Sequence, residues 1–124
     1  NYIKILKKVK KRKKNNTLVS FNKFKMNLDN YISRAKNLNT KVLIISISIP
    51  DERIIKKNEF IAKNAEFYNQ YFKELERHND FVIVTEPIIN NDYKEDIYED
   101  GYHPNKKGHI ELFKKLKRTL HFIH

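Results

Sequence analysis

The sequence predicts an α/β domain in which helices cover a parallel sheet, and it predicts the second half of one. Three observations carry this. Two short apolar runs rich in β-branched residues, KVLIISISIP at 41–50 and FVIVTEP at 81–87, have the length and composition of strands buried on both faces. Before each lies a longer segment with apolar residues at three- and four-residue steps, the period of an amphipathic helix. The resulting order is helix, strand, helix, strand, loop, helix, an alternation that gives parallel pairing through right-handed crossovers. Two strands are fewer than the roughly five such a sheet usually holds.

Taken in order, Ile3, Leu6 and Val9 have helical spacing and predict a short basic helix over 2–12, followed by a turn at Asn15-Asn16. Phe21, Phe24, Leu28, Tyr31, Ile32, Ala35 and Leu38 form the stripe of the first long helix, with Ser20 as its N-cap and Asn37 and Asn39 at its exit. The strand at 41–50 ends at Pro50. DERIIKKN then reads as a polar loop. A second long helix over 58–78 carries Phe60, Ile61, Phe67, Tyr68, Tyr71, Phe72 and Leu75 on its stripe, and the second strand follows. Residues 88–103 form an acidic loop, whose Asp92, Asp96 and Glu99 are expected to make a solvated face. Ile110, Phe113, Leu116 and Leu120 mark a last helix, with Pro104 and Asn105 near its start. The aromatic stripes are expected to be core.

Composition bounds the rest. The chain has 124 residues, room for one domain or part of one. Fifteen Phe and Tyr residues argue against disorder. No run of about 18 apolar residues exists, so no transmembrane helix is predicted. No signal peptide is visible, but the chain opens on Asn1 and not on Met, so localisation stays open. Cysteine is absent, which excludes disulfides. Of the 26 basic residues, eight fall in residues 1–14 beside no acid, leaving 18 against 15 acidic residues in the rest. The domain division is therefore a basic segment over 1–16 and the α/β body over 17–124. Such a run suits nucleic acid or an anionic membrane surface, but the abundance of lysine and asparagine throughout favours the plainer reading of a solvated segment without a partner.

The stretch DGYHPNKKGH, residues 100–109, holds the only two glycines in the chain, Gly101 and Gly108. It follows the second strand, and in open α/β sheets ligands and catalytic groups gather outside the carboxyl ends of the strands. Asp100 and His103 stand three apart. A histidine takes a proton from a hydroxyl nucleophile and returns it to a leaving group, and a carboxylate on its other ring nitrogen fixes the tautomer. Gly101 would allow the tight turn this needs, and Pro104 would stiffen the exit. The plainer reading is a polar turn with a helix-capping acid. Gly108 and His109 are expected to pack at the start of the last helix. Asp100, His103 and His109 lack the compact four-ligand spacing of a zinc site, so neither metal nor cofactor is expected.

D-G-Y-H-P-N-K-K-G-H resembles the final Asp-x-x-His block of the GDSL or SGNH hydrolases. The helix with FNKFKMNLDNYISRA, both strands and the helix with NAEFYNQYF resemble that family's second half in order and spacing, over about 20–121. The resemblance implies a three-layer α/β/α sandwich, SGNH or flavodoxin-like, with a parallel sheet of about five strands. It makes His103 the general base of a Ser-His-Asp triad and Asp100 the residue that orients it. The family's Gly-Asp-Ser block, and the Gly and Gly-x-Asn-Asp blocks that help form the oxyanion hole, are not in this sequence. Ser46 and Ser48 lie in a strand without the sharp turn that exposes a nucleophile. Ser20 and Ser33 read as a cap and a helix-surface residue.

The reading is therefore part of a serine ester hydrolase that supplies the Asp-x-x-His pair. Its nucleophile lies in an N-terminal half of the same domain outside this sequence, and this chain alone is expected to be inactive. The expected substrate is a small-molecule or glycan ester, with no nucleic acid partner. The half-sheet's open edge could also support a homodimer. The alternative is a degenerate, non-catalytic module of this fold, binding nucleic acid or an anionic polymer through its basic N-terminus.

Overall fold

The first long helix, α1 (Phe21–Asn37), begins where Ser20 accepts a hydrogen bond from the Lys23 N–H. It stops at two asparagines, and Asn39 takes a positive φ of 51°, a left-handed conformation that Asn tolerates better than most residues. This computed structural model describes residues 19–87 and 100–121. The expected basic helix over 2–12 and most of the acidic loop lie outside them, as do Asp92, Asp96 and Glu99.

The other elements are β1 (Val42–Ile44), α2 (Glu52–Lys57), α3 (Phe60–His78), β2 (Val82–Val84) and α4 (Lys106–His121). β1 and β2 pair in parallel, with Val42 opposite Val82, Leu43 opposite Ile83 and Ile44 opposite Val84. This is the predicted α/β architecture with its parallel sheet. Strand alternation puts Val42, Ile44, Val82 and Val84 on one face. Ile32 and Ala35 of α1 and Tyr71 and Phe72 of α3 join the buried valines in one core, with Phe21, Phe24, Leu28, Tyr68 and Leu75 packed against it. Aromatic edges lock the two helices together: Phe24 meets Tyr68 at 4.8 Å and 75°, and Phe21 meets Tyr71 at 5.5 Å and 83°. The Tyr71 hydroxyl also donates to Asp29 at 2.5 Å. Burial and that carboxylate push the phenol's pKa up. Burial opposes ionisation of Asp29, but hydrogen bonds from Lys25 and Tyr71 outweigh it and hold the carboxyl below its ordinary range.

Four expectations need correction. DERIIKKN is not a loop. Asp51 caps a helical turn, its side chain accepting from the Arg53 and Ile54 N–H groups, so Glu52–Lys57 forms α2. Polarity concealed it, because a six-residue helix has no room for an apolar period.

Second, the strand expected over 41–50 pairs with β2 only at Val42–Ile44, with an isolated bridge further on at Ile49, and the opposite face holds Leu43 and Ile83, which are half-buried. Beyond Ile44 side chains take over from the ladder. The Ser46 N–H donates to Thr85 Oγ1 at 3.1 Å, and the Ser46 hydroxyl donates to the Thr85 carbonyl. Asn69 of α3 acts as a substitute strand, accepting from the Ile47 N–H and donating to the Ile47 carbonyl, both at 2.8 Å.

Third, the stripe of α1 is narrower than predicted, since Tyr31 and Leu38 are exposed; Phe67 of α3 is exposed as well. Fourth, Ile110, Phe113 and Leu120 of α4 are exposed and Leu116 is half-buried. Two three-residue strands offer too little surface to cover a sixteen-residue helix. Among the described residues no helix is long and apolar enough to cross a membrane.

Because Asn69 alone holds both polar groups of Ile47, Asn69→Ala should lower stability by about 1–2 kcal/mol, near 1 for each lost hydrogen bond. Its exposed neighbour Gln70→Ala should stay within about 0.5 kcal/mol of the parent. Urea midpoints at constant slope measure both, and equal midpoints for the two variants would refute the clamp.

Candidate active site

Parallel pairing brings the carboxyl ends of β1 and β2 to one edge of the sheet. The segment after β1 runs through Pro50 to Asp51, whose backbone N–H donates to the Gly101 carbonyl at 2.9 Å. The Asp-x-x-His loop is thus tied to the chain beyond β1's carboxyl end. The sequence placed it beyond β2 only, and the structure adds this second anchor.

Within the loop, Asp100 uses both carboxylate oxygens. Oδ1 accepts from the backbone N–H of Tyr102 at 2.9 Å and of His103 at 2.7 Å, a turn closed by an acidic side chain. Oδ2 faces His103 Nδ1 at 2.7 Å. The structure therefore brings Asp100 and His103 together. The hydrogen bond to the His103 ring, with the two backbone N–H groups behind it, holds the Asp100 carboxyl well below the usual carboxylate range. An ionised Asp100 only accepts, so Nδ1 carries the proton and Nε2 of the neutral ring is left as the acceptor. The imidazole side chain is 76% exposed. Tyr102 packs edge-on against it, ring centres 5.0 Å apart at 80°.

The turn depends on Gly101, which takes φ +81° and is buried. A Cβ there would stand 2.6 Å from both carboxylate oxygens of Asp51. Asp51, missed by the sequence analysis, is itself buried and gripped by Arg53, whose Nε donates to Oδ2 at 2.7 Å. The signal that could have found it is the Asp-Glu pair directly after Pro50, an N-cap followed by an acid in the first turn.

On the other side of His103 the chain enters α4. Asn105 Oδ1 accepts from the Gly108 N–H at 3.1 Å, capping the helix, and the Asn105 carbonyl accepts from His109 N–H at 2.9 Å. Gly108 is buried and His109 exposed, so both belong to the helix start. Ser46 is buried against Thr85, and Ser48 lines a cavity of about 380 Å³ with Ile47, Ile61, Tyr68 and Tyr102. Neither serine hydroxyl reaches His103 among the described residues. No three His, Cys, Asp or Glu side chains converge as a metal site among the described residues.

The arrangement can orient an imidazole and stabilise its protonated form. Among the described residues no backbone donors are directed at a reacting carbonyl. A family model described as GDSL-like Lipase/Acylhydrolase matches residues 5–116. The match begins inside the basic run and ends within α4. Comparison with curated proteins and with solved structures gave no match.

The hydrogen bonds from His103 and Tyr102 hold the Asp100 carboxyl below its ordinary value of 3.8. A depressed carboxylate pKa contributes order that is complete above the ordinary value and is lost as pH falls through the folded one. The amide signals of Tyr102 and His103 should therefore hold constant in NMR spectra as pH falls through about 4, and move only in stronger acid. A midpoint at the ordinary aspartate value would contradict the bonding described.

Proposed function

This chain belongs to the GDSL-like lipase/acylhydrolase family, and from that premise we propose that it supplies the acid–base half of a serine ester hydrolase. The observation that carries the reading is the 2.7 Å contact between Asp100 Oδ2 and His103 Nδ1, on a turn that fixes both residues.

In this reading His103 Nε2 accepts the proton of a serine hydroxyl as that oxygen attacks the ester carbonyl. Asp100 keeps the ring in the required tautomer and stabilises the imidazolium that forms. The imidazolium then gives its proton to the departing alkoxide, leaving an acyl-serine. A second round, with water in place of serine, releases the acid and restores the hydroxyl. The serine and the oxyanion donors come from a segment outside this sequence, because no Gly-Asp-Ser block occurs in it. We place that segment at the open edge of the sheet, where its strands would continue the parallel pairing begun by β1 and β2. The same strands would widen the sheet beneath α4. The oxyanion donors alone are worth about 2.7–4 kcal/mol each in such reactions, so this chain by itself should turn over ester poorly.

The protein carrying this chain together with its serine segment should hydrolyse a short-chain nitrophenyl ester. His103→Ala should lower kcat by on the order of 10²–10⁴-fold with little change in KM, and Asp100→Asn should fall in the same range, since it leaves the ring without its anionic partner. Full turnover by His103→Ala would end this reading.

A further inference from the structure

We propose that Asp51 is a positioning residue for the Asp100–His103 pair, acting through Gly101. The inference rests on the hydrolase reading, because it asks what holds that pair in place.

Asp51 meets Gly101 in two ways. Its backbone N–H donates to the Gly101 carbonyl at 2.9 Å, which fixes the height of the loop above the sheet edge. Its carboxylate occupies the space a side chain at 101 would need, with Cγ 2.7 Å from the ideal Cβ position. The carboxylate therefore forms a floor beneath a glycine whose φ of +81° sets the turn. Gly101 lies between Asp100 and Tyr102. A shift of Gly101 displaces the Asp100 carboxylate from the two N–H groups and the ring it serves.

The floor is rigid. Oδ1 accepts from the Arg53 N–H at 2.9 Å and the Ile54 N–H at 3.3 Å, and Oδ2 is held by the Arg53 guanidinium at 2.7 and 2.5 Å. The side chain of Asp51 is only 10% exposed, against 55% for Asp100 and 76% for His103. The solvent-facing pair thus gains its fixed geometry from a buried carboxylate on a different element. An enzyme side chain displaced by about 1 Å can lose on the order of 10²-fold in rate, so such a support has a measurable effect.

The test uses the protein carrying this chain and its serine segment. Asp51→Ala removes the floor and should lower kcat by on the order of 10–10²-fold at nearly constant KM. Asp51→Asn keeps the shape and the helix cap, since Asn and Asp cap alike, and should stay within about threefold of the parent. Gly101→Ala places a methyl group against the carboxylate and should also lose kcat. In the double variant Asp51→Ala, Gly101→Ala that clash is gone, so the combined loss should be smaller than the product of the single losses. In the 124-residue chain alone, Asp51→Ala should shift the Tyr102 and His103 amide signals while Asp51→Asn leaves them in place. Wild-type kcat in a folded Asp51→Ala, independent losses in the double variant, or unmoved amide signals overturn this inference while leaving an inactive His103→Ala to support the hydrolase reading. A fully active His103→Ala overturns both.

Discussion

The parallel pairing of Val42–Ile44 with Val82–Val84 is the constraint on which the remaining structure depends. Parallel strands end on the same edge, so the chain leaving β1 and the chain leaving β2 meet there. Only three residue pairs make the ladder. Most of the cohesion therefore comes from one buried face, where valines of both strands meet Ile32, Ala35, Tyr71 and Phe72 of the flanking helices. Burial of that apolar surface drives the assembly, and the strand hydrogen bonds decide its direction.

Where the ladder ends, polar side chains extend it. Ser46 and Thr85 continue the pairing, and Asn69 clamps Ile47 from α3. These contacts lead the chain to Asp51 along a fixed route. From there one backbone hydrogen bond passes the geometry to Gly101, and the Asp100 side chain passes it to His103. The loop's order has local and distant origins. Asp100 closes its own turn, while Asp51 sets where that turn stands.

Asp100 and His103 meet in a loop open to solvent. The acyl transfer proposed for the pair needs a nucleophile and donors for the developing oxyanion in addition to a base. The exposed apolar residues of α4 and the three-residue strands have the same physical origin, a sheet too narrow to cover its last helix.

The sequence by itself determined every described element but the short helix at Glu52–Lys57, and the meeting of Asp100 with His103. Both strands, the two long helices and the last helix follow from apolar periodicity, which reflects burial on one side of each element. Asp100 and His103 were legible because they lie three apart beside a glycine, so their meeting is decided within a single turn. Tertiary structure decided what depended on residues far apart. The helix at Glu52–Lys57 is polar and short, and only the cap at Asp51 marks it. Tyr31 and Leu38 have helical spacing, yet the width of the facing surface left them in solvent. The contact between Asp51 and Gly101 spans fifty residues of chain, and no local pattern encodes a carboxylate filling the place of a missing side chain. That contact exists only because two parallel strands end side by side.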